Sequence, residues 1–143
     1  MRLTTHFALS ELCHTATGLH NEPGPAEVAA LQLLAEHVLE PLRVALGLAV
    51  HVDSGFRSAE VNAAVGGEPH SQHLRGEAAD IWVSGISAEE LARRIVALGL
   101  PFDQIIVENP APAVKWVHVS YRANPRGQML RRLRPGVYAN WSP

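Results

Sequence analysis

Two side chains able to bind a metal ion lie seven positions apart near the centre of the chain. They are His73 and Asp80, within Ser-Gln-His-Leu-Arg-Gly-Glu-Ala-Ala-Asp-Ile at 71–81. Zinc accepts both imidazole nitrogen and carboxylate oxygen as ligands. Seven residues exceed one helical turn and leave room for a chain reversal, which Gly76 permits because glycine tolerates backbone angles that other residues avoid. The spacing therefore allows His73 to end one element and Asp80 to begin a strand at 80–83, with both side chains facing one cavity.

A catalytic zinc site needs a third protein ligand and an open fourth position. The best candidate for that ligand is His118, in Trp-Val-His-Val-Ser-Tyr at 116–121. This segment is rich in β-branched and aromatic residues, which predicts a strand. Two other interpretations stay open, because a His–Asp pair is often a surface hydrogen bond and a histidine in an apolar strand is often a satisfied core residue.

Arg57 is a candidate for binding a substrate. It follows a predicted strand at 49–54 and stands beside Gly55, a position from which a side chain can enter a cleft. The planar guanidinium group matches the geometry of a carboxylate. The alternative interpretation is an ion pair on the surface.

The composition is that of a globular protein. Of the 143 residues, 47% are hydrophobic and 18% are charged, which suits one domain with a core of useful size. The formal net charge of −2 provides no basic field for nucleic acid or for an anionic membrane. Cys13 is the single cysteine, so an internal disulfide is excluded. A basic run near the C-terminus is interpreted as a solvated edge, and it contains Arg122, Arg126, Arg131, Arg132 and Arg134.

The beginning of the chain lacks the apolar segment of a signal peptide, and no apolar run reaches membrane-spanning length. We therefore expect a protein made in the cytoplasm without a signal peptide. We also expect a monomer that neither inserts into a membrane nor binds nucleic acid.

Apolar spacing predicts the helices that position these side chains. A long helix is predicted from Ala26 to Leu46, kinked or restarted at Pro41 and ended by Gly47. A shorter helix is predicted at 60–65. Another follows Ser87, which forms a capping box with Glu90, and it runs to Leu98.

Four strands are predicted, at 49–54, 80–83, 102–108 and 116–121. The last two form a hairpin around a long turn at 109–113. Residues 123–143 contain Pro125, Gly127, Pro135 and Gly136 and are expected to wrap the surface.

Several motifs in the same order resemble the zinc D-Ala-D-Ala carboxypeptidase family, which has the hedgehog/DD-peptidase fold. The resemblance covers about residues 4–122, and the segments 3–12 and 39–43 resemble the phage and prophage branch of that family. The motifs are Ser-Gly-Phe-Arg at 54–57, Val-Asn-Ala-Ala-Val-Gly-Gly at 61–67, Ser-Gln-His at 71–73, Gly-Glu-Ala-Ala-Asp-Ile at 76–81 and Trp-Val-His-Val-Ser at 116–120.

The resemblance implies an α+β fold for the whole chain, 1–143, as a single domain. Its small, mostly antiparallel sheet would carry helices on one side and a zinc site in a cleft. The same resemblance implies that one zinc ion per chain is bound by His73, Asp80 and His118. The core would span about 4–122, with a surface tail at 123–143.

The resemblance also implies a substrate, the stem peptide of peptidoglycan, which the family cleaves as carboxypeptidases or as endopeptidases. Arg57 would bind this substrate and Ser71 would lie near the cleft. We expect His70 and Trp116 on the wall of the cleft. The action would be at the bacterial cell wall or periplasm, after release of the protein or as part of a virion.

The chain departs from the family at the general base. Many relatives have an acid three positions before the last zinc-binding histidine, where this chain has Lys115. Glu108 is the preferred replacement: in a hairpin centred near Pro112, residue 108 faces 116 and becomes a diagonal neighbour of His118. Glu77 is the second choice, and a histidine such as His70 is the next.

Lys115 also keeps a different class of function open. In that alternative the domain contains zinc and binds peptidoglycan without cutting it, as a structural module of a phage particle. Zinc-loaded protein that releases no peptide from peptidoglycan would favour this hypothesis.

Overall fold

The computed structural model describes the backbone of residues 1–111 and 114–143 and the side chains of 1–108 and 116–143. Its centre is a sheet whose strands lie in the spatial order β1-β2-β4-β3-β5-β6. All neighbouring strands are antiparallel except β3 and β5, which are parallel. The strands are β1 His51–Ser54, β2 Ala78–Trp82, β3 Gln104–Ala111, β4 Val114–Ser120, β5 Gln128–Arg134 and β6 Val137–Asn140.

The helices are α1 Pro25–Leu34, α2 Glu40–Leu46, α3 Ala59–Ala64 and α4 Ala88–Ala97. A π-helical segment, Ala35–Leu39, joins α1 to α2 and ends two residues before Pro41. Proline has no N–H to donate and its ring crowds the preceding turn, so a wider turn at this point relieves both problems. Gly47, with φ 65°, ends α2 as predicted. No described helix has the length and apolar character needed to cross a membrane.

The two faces of the sheet have different roles because successive side chains of a strand point to opposite sides. On β2, Ala79 and Ile81 are fully buried in the hydrophobic core, and Val117 and Val119 of β4 are buried beside them. These side chains share the core with apolar residues of the helices, among them Leu31, Leu34, Val38, Leu42, Leu91 and Ile95. The predicted α+β class, with a mostly antiparallel sheet, is confirmed.

The hairpin of β3 and β4 has the predicted register. Ile106 pairs with His118, and Glu108 pairs with Trp116. The strands extend further into the predicted turn than expected, to Ala111 on β3 and from Val114 on β4. The remainder of that turn, 112–113, lies outside the described residues.

The segment 123–143, which was expected to be a surface tail, is largely exposed or half-buried but also adds two strands to the sheet. This segment forms β5, which pairs with β3 in parallel, and β6, which closes the sheet at that edge. Trp141 is buried, and its backbone N–H donates to the carbonyl of Met129 at 3.1 Å. Proline and glycine in this segment mark the turns around the strands. The polar and basic residues between them concealed the strands because strand prediction relies on apolar alternation.

Candidate metal centre

His73, Asp80 and His118 come from three different elements. His73 lies on a 3₁₀ turn, Gln72–Arg75. Ser71 caps the start of this turn, because its side-chain hydroxyl accepts a hydrogen bond from the backbone N–H of His73 at 3.2 Å. The turn ends at Gly76 with φ 72°, and a Cβ there would stand 2.5 Å from a backbone oxygen of α1. The chain then enters β2, where Asp80 pairs directly with His118 of β4.

The three side chains converge on one point. Nε2 of His73 lies 3.3 Å from Oδ1 of Asp80, and Nδ1 of His118 lies 3.4 Å from the same oxygen. One ligand atom from each residue lies within 4.8 Å of the other two, and all three residues are buried. The reversal at Gly76 and the pairing of β2 with β4 thus bring together the three predicted ligands.

The chemistry of this cluster fits a zinc ion. Oδ1 of Asp80 is buried and has no hydrogen-bond partner among the described residues, which is unfavourable unless a cation occupies the site. Nδ1 of His73 lies 2.7 Å from the carbonyl of Gly55, so Nδ1–H donates there and Nε2 keeps its lone pair for a metal. Two imidazole nitrogens and one carboxylate oxygen form a zinc set with an open fourth position.

Asp80 is ionised in this environment. Burial alone would raise the pKa of its carboxyl group, but the imidazole groups of His73 and His118 that face it outweigh burial and hold the pKa well below its usual range. The carboxylate can therefore act as a ligand at neutral pH.

Arg57 holds the other oxygen of this carboxylate. Its Nη2 donates to Oδ2 of Asp80 at 3.1 Å, its Nε to Ser54 at 2.9 Å and its Nη1 to Asn62 at 3.3 Å. The Arg57 side chain is 14% exposed, so it lies in the cleft and not in a surface ion pair. These contacts fix the orientation of Asp80, as a hydrogen-bonding partner behind a metal ligand does.

A cleft of about 840 Å³ opens over the cluster. Four buried side-chain polar atoms of the described residues have no hydrogen-bond partner, and three belong to residues of this cleft: Gln72 Oε1, Asp80 Oδ1 and Arg132 Nε. Of the residues expected at the site, Glu77 is absent from the described lining of the cleft, and its side chain pairs with Arg75 at 2.9 Å. Every other residue expected at the site lines the cleft, namely Arg57, His70, Ser71, His73, Asp80, Glu108, Trp116 and His118.

Glu108 lies on β3, two residues beyond Ile106, which is the residue that pairs with the candidate ligand His118. Its Oε2 accepts a hydrogen bond from Trp116 Nε1 at 3.0 Å, and its Oε1 accepts one from Arg132 Nη1 at 3.2 Å. The side chain is 13% exposed. Both carboxylate oxygens are thus oriented on the cleft face of the sheet.

The comparison with known families agrees with this geometry. The family model for peptidase M15 matches residues 4–120, which is most of the chain. This chain belongs to the peptidase M15 family. Members of this family are zinc peptidases, so the chain has the fold and the metal-ligand cluster of a metallopeptidase. No curated relative matches the sequence.

The part of this M15 peptidase that follows the family match also contributes to the cleft. Sequence reasoning missed these residues because it treated the segment as a tail. The sequence holds no clear signal for them, because Gln128, Leu130 and Arg132, which share one face of β5, do not form an apolar alternation. The lining residues from this segment are Arg122, Arg126, Gln128, Leu130, Arg132 and Tyr138.

Proposed function

We propose that this M15 peptidase hydrolyses amide bonds in the stem peptides of peptidoglycan, as a carboxypeptidase or as an endopeptidase of the stem or cross-link. The observation that carries the proposal is the buried cluster of His73, Asp80 and His118 at the floor of a cleft that also contains a carboxylate, Glu108. These three residues would hold one zinc ion. A bound zinc supplies Lewis acidity, which polarises a carbonyl and makes a water molecule more acidic.

Glu108 is proposed as the general base and acid. It would take a proton from the attacking water and deliver that proton to the leaving amine nitrogen as the C–N bond breaks. Hydrogen bonds from Trp116 and Arg132 hold the carboxylate on the cleft face and reduce the number of conformations it samples. Lys115, in its usual charged state, has no lone pair with which to accept the proton.

Arg57 is proposed to bind a substrate carboxylate or the oxygen that becomes negative during attack. A guanidinium has five N–H groups. Three of them donate to Ser54, Asn62 and Asp80. Two N–H groups are therefore left without a partner among the described residues. Donors fixed before reaction stabilise developing charge without reorganisation. His70, Ser71 and Trp116 would contact the substrate along the wall of the cleft.

Arg57→Lys is expected to lower kcat/KM by about a hundredfold, the size of losing one fixed donor to a transition state. Lysine keeps the charge but loses the planar fork, so it cannot serve Asp80 and a substrate together. Zinc content measured beside activity separates a substrate role from loss of the metal. Arg94→Lys is the matched control, because Arg94 is exposed on α4 and paired with Glu90. Unchanged turnover of Arg57→Lys would remove Arg57 from the site.

Mass spectrometry of digested peptidoglycan tests the proposed reaction. Zinc-loaded protein should release D-alanine or new peptide termini, a chelator should stop the release, and added zinc should restore it. The masses of the products identify the bond. Absence of product from protein that contains zinc contradicts the proposed reaction.

The second candidate function is a zinc-containing module of a phage particle that binds peptidoglycan without cutting it. Lys115, at the position where many relatives have an acid, favours it. Co-sedimentation of zinc-loaded protein with cell walls, with no peptide released, would support this candidate. A phage or prophage origin rests on the resemblance of segments 3–12 and 39–43 and is part of the same proposal, as is action at the cell wall.

A further inference from the structure

One end of the cleft has an excess of positive charge. At this end β3 begins after Asp103 and β4 ends at Ser120, and the two residues are joined by a backbone hydrogen bond of 2.8 Å. Ser120 is two residues beyond His118, which corresponds to about 6.6 Å along a strand. Glu108 lies at the opposite end of the cleft, on the other side of the metal ligands.

Two arginines share the single carboxylate of Asp103. Arg126 forms a forked pair with it, through Nε at 3.0 Å and Nη2 at 2.7 Å, and its backbone N–H adds a third contact at 3.0 Å. Arg122 approaches with Nε alone, at 3.1 Å. Asp103 itself is fully buried, and Gln72 donates to it at 2.9 Å.

The charges at this end do not balance. Burial alone would raise the pKa of Asp103, but hydrogen bonds from Arg126 and Gln72 outweigh burial and hold the pKa well below its usual range, so one negative charge faces two guanidinium groups. Glu77, a second acid whose charge acts on Arg126, is already paired with Arg75. One positive charge is therefore uncompensated among the described residues.

Arg122 carries this uncompensated charge. Arg126 uses its fork on Asp103, whereas Arg122 uses only Nε and keeps both Nη groups for other partners. No other carboxylate among the described residues pairs with Arg122, whose side chain is 39% exposed and lines the cleft. The two Nη groups present parallel N–H donors, the geometry that binds a carboxylate through both oxygens.

We propose that Arg122 binds a free carboxylate of the substrate close to the scissile bond. The proposal rests on the proposed function, since it assigns a subsite within the same cleft. An extended residue spans about 3.3 Å, so a group two residues beyond a carbonyl at the metal cluster lies at the level of Ser120, and a group one residue beyond it lies about halfway there. Arg122 therefore binds either the C-terminal carboxylate of the stem peptide or a carboxylate on a neighbouring side branch. In the first case the enzyme is a carboxypeptidase.

The test uses three synthetic stem peptides with the full zinc-loaded chain: the free acid, its C-terminal amide, and the peptide amidated at the side-branch carboxylate. Affinity by titration calorimetry and kcat/KM are measured for each. Wild type should prefer the free acid over one of the two amides by about tenfold, the effect of one charge-assisted hydrogen-bonded pair, mainly in Kd and KM. The amide that loses affinity identifies the carboxylate.

Arg122→Gln should abolish this preference by lowering the affinity and kcat/KM for the free acid to about those of the disfavoured amide. Arg122→Lys should retain part of the preference, because it keeps the charge and loses the fork. Arg94→Gln, an equal change of charge at an exposed residue away from the cleft, should keep all of it. The melting temperature of Arg122→Gln should stay near that of wild type because Arg126 still pairs with Asp103.

A wild-type protein that binds all three peptides equally, or binds none, overturns the proposal, as does a preference that survives in Arg122→Gln. Binding that depends on Arg122 without cleavage of any peptide would contradict the proposed hydrolysis alone. Calorimetry therefore separates the failure of this inference from the failure of the proposed function.

Discussion

Replacing His73 with alanine is expected to abolish stoichiometric zinc binding and with it peptide hydrolysis. His73 supplies one of three ligand atoms, and a site with two protein ligands no longer matches the preference of zinc. Changes behind a ligand already cost about 10–100-fold in metal affinity or activity, so removal of the ligand itself should cost more. Metal analysis of the purified variant gives the measurement. The same result is expected for His118→Ala.

Thermal unfolding provides a readout that does not depend on catalysis. A metal that binds only the folded chain raises its stability by mass action. Added zinc should therefore raise the melting temperature of the metal-free wild type and leave that of His73→Ala nearly unchanged. His20→Ala is the matched control, because His20 is an exposed histidine whose contact is with Glu22. Retention of one zinc per chain by both His73→Ala and His118→Ala would place the metal elsewhere.

The metal cluster is the part of the site that sequence reasoning predicts best. The residue types restrict the chemistry, and Gly76 marks the reversal that brings His73 beside Asp80. The pairing of Glu108 with Trp116 was also predictable, because a hairpin fixes its register once its centre is known. Element ends shifted by one to three residues, as for the helix predicted to reach Leu98, which ends at Ala97.

The C-terminal part of the site was not predictable in the same way. β5 pairs with β3 in parallel, and parallel pairing joins segments without a tight turn to mark it. The basic run around Arg132 therefore suggested a solvated edge, although Arg132 contacts Glu108 in the cleft. Asp103 and Arg126 lie 23 positions apart, and their contact depends on where β5 enters the sheet. Charge alone does not reveal such a pair.

The role of Arg57 was only partly predictable from the sequence. Its place after a strand and beside Gly55 predicted a side chain that enters a cleft, and in the structure Arg57 lines the cleft over the metal cluster. Its hydrogen bond to Asp80 could not be read from spacing, since the two residues lie 23 positions apart and meet only where β1 pairs with β2. A residue expected to contact only substrate therefore also orients a candidate ligand, and its variants need a measurement of zinc content as well as of activity.

Glu108→Gln is expected to reduce hydrolysis by at least about a hundredfold while zinc binding stays near that of wild type. A positioned general base typically contributes about 10²–10⁴-fold, and glutamine keeps the shape of the side chain but cannot take a proton at neutral pH. The loss should appear in kcat, because the proton is transferred during the chemical step. Single-turnover measurements with a stem peptide, beside metal analysis, give both quantities.

The structure adds a specific expectation for the stability of this variant. Both oxygens of Glu108 accept hydrogen bonds, from Trp116 and from Arg132, and an amide has only one oxygen to offer. One donor loses its partner at a site that still admits water. We therefore expect a melting temperature lower by a few degrees, about what 1 kcal/mol corresponds to in a chain of this size. A larger loss would mean that Glu108 has a structural role as well.

Glu77→Gln is the matched control for the choice of carboxylate. Glu77 follows the turn that carries His73, but its side chain pairs with Arg75 and is absent from the described lining of the cleft. This variant should therefore keep nearly full activity. If Glu77→Gln is inactive while Glu108→Gln is active, the hairpin geometry selected the wrong carboxylate. If both variants stay active, the proton acceptor is not a carboxylate, and His70→Gln becomes the decisive variant, because His70 is the histidine that lines the cleft without belonging to the metal cluster.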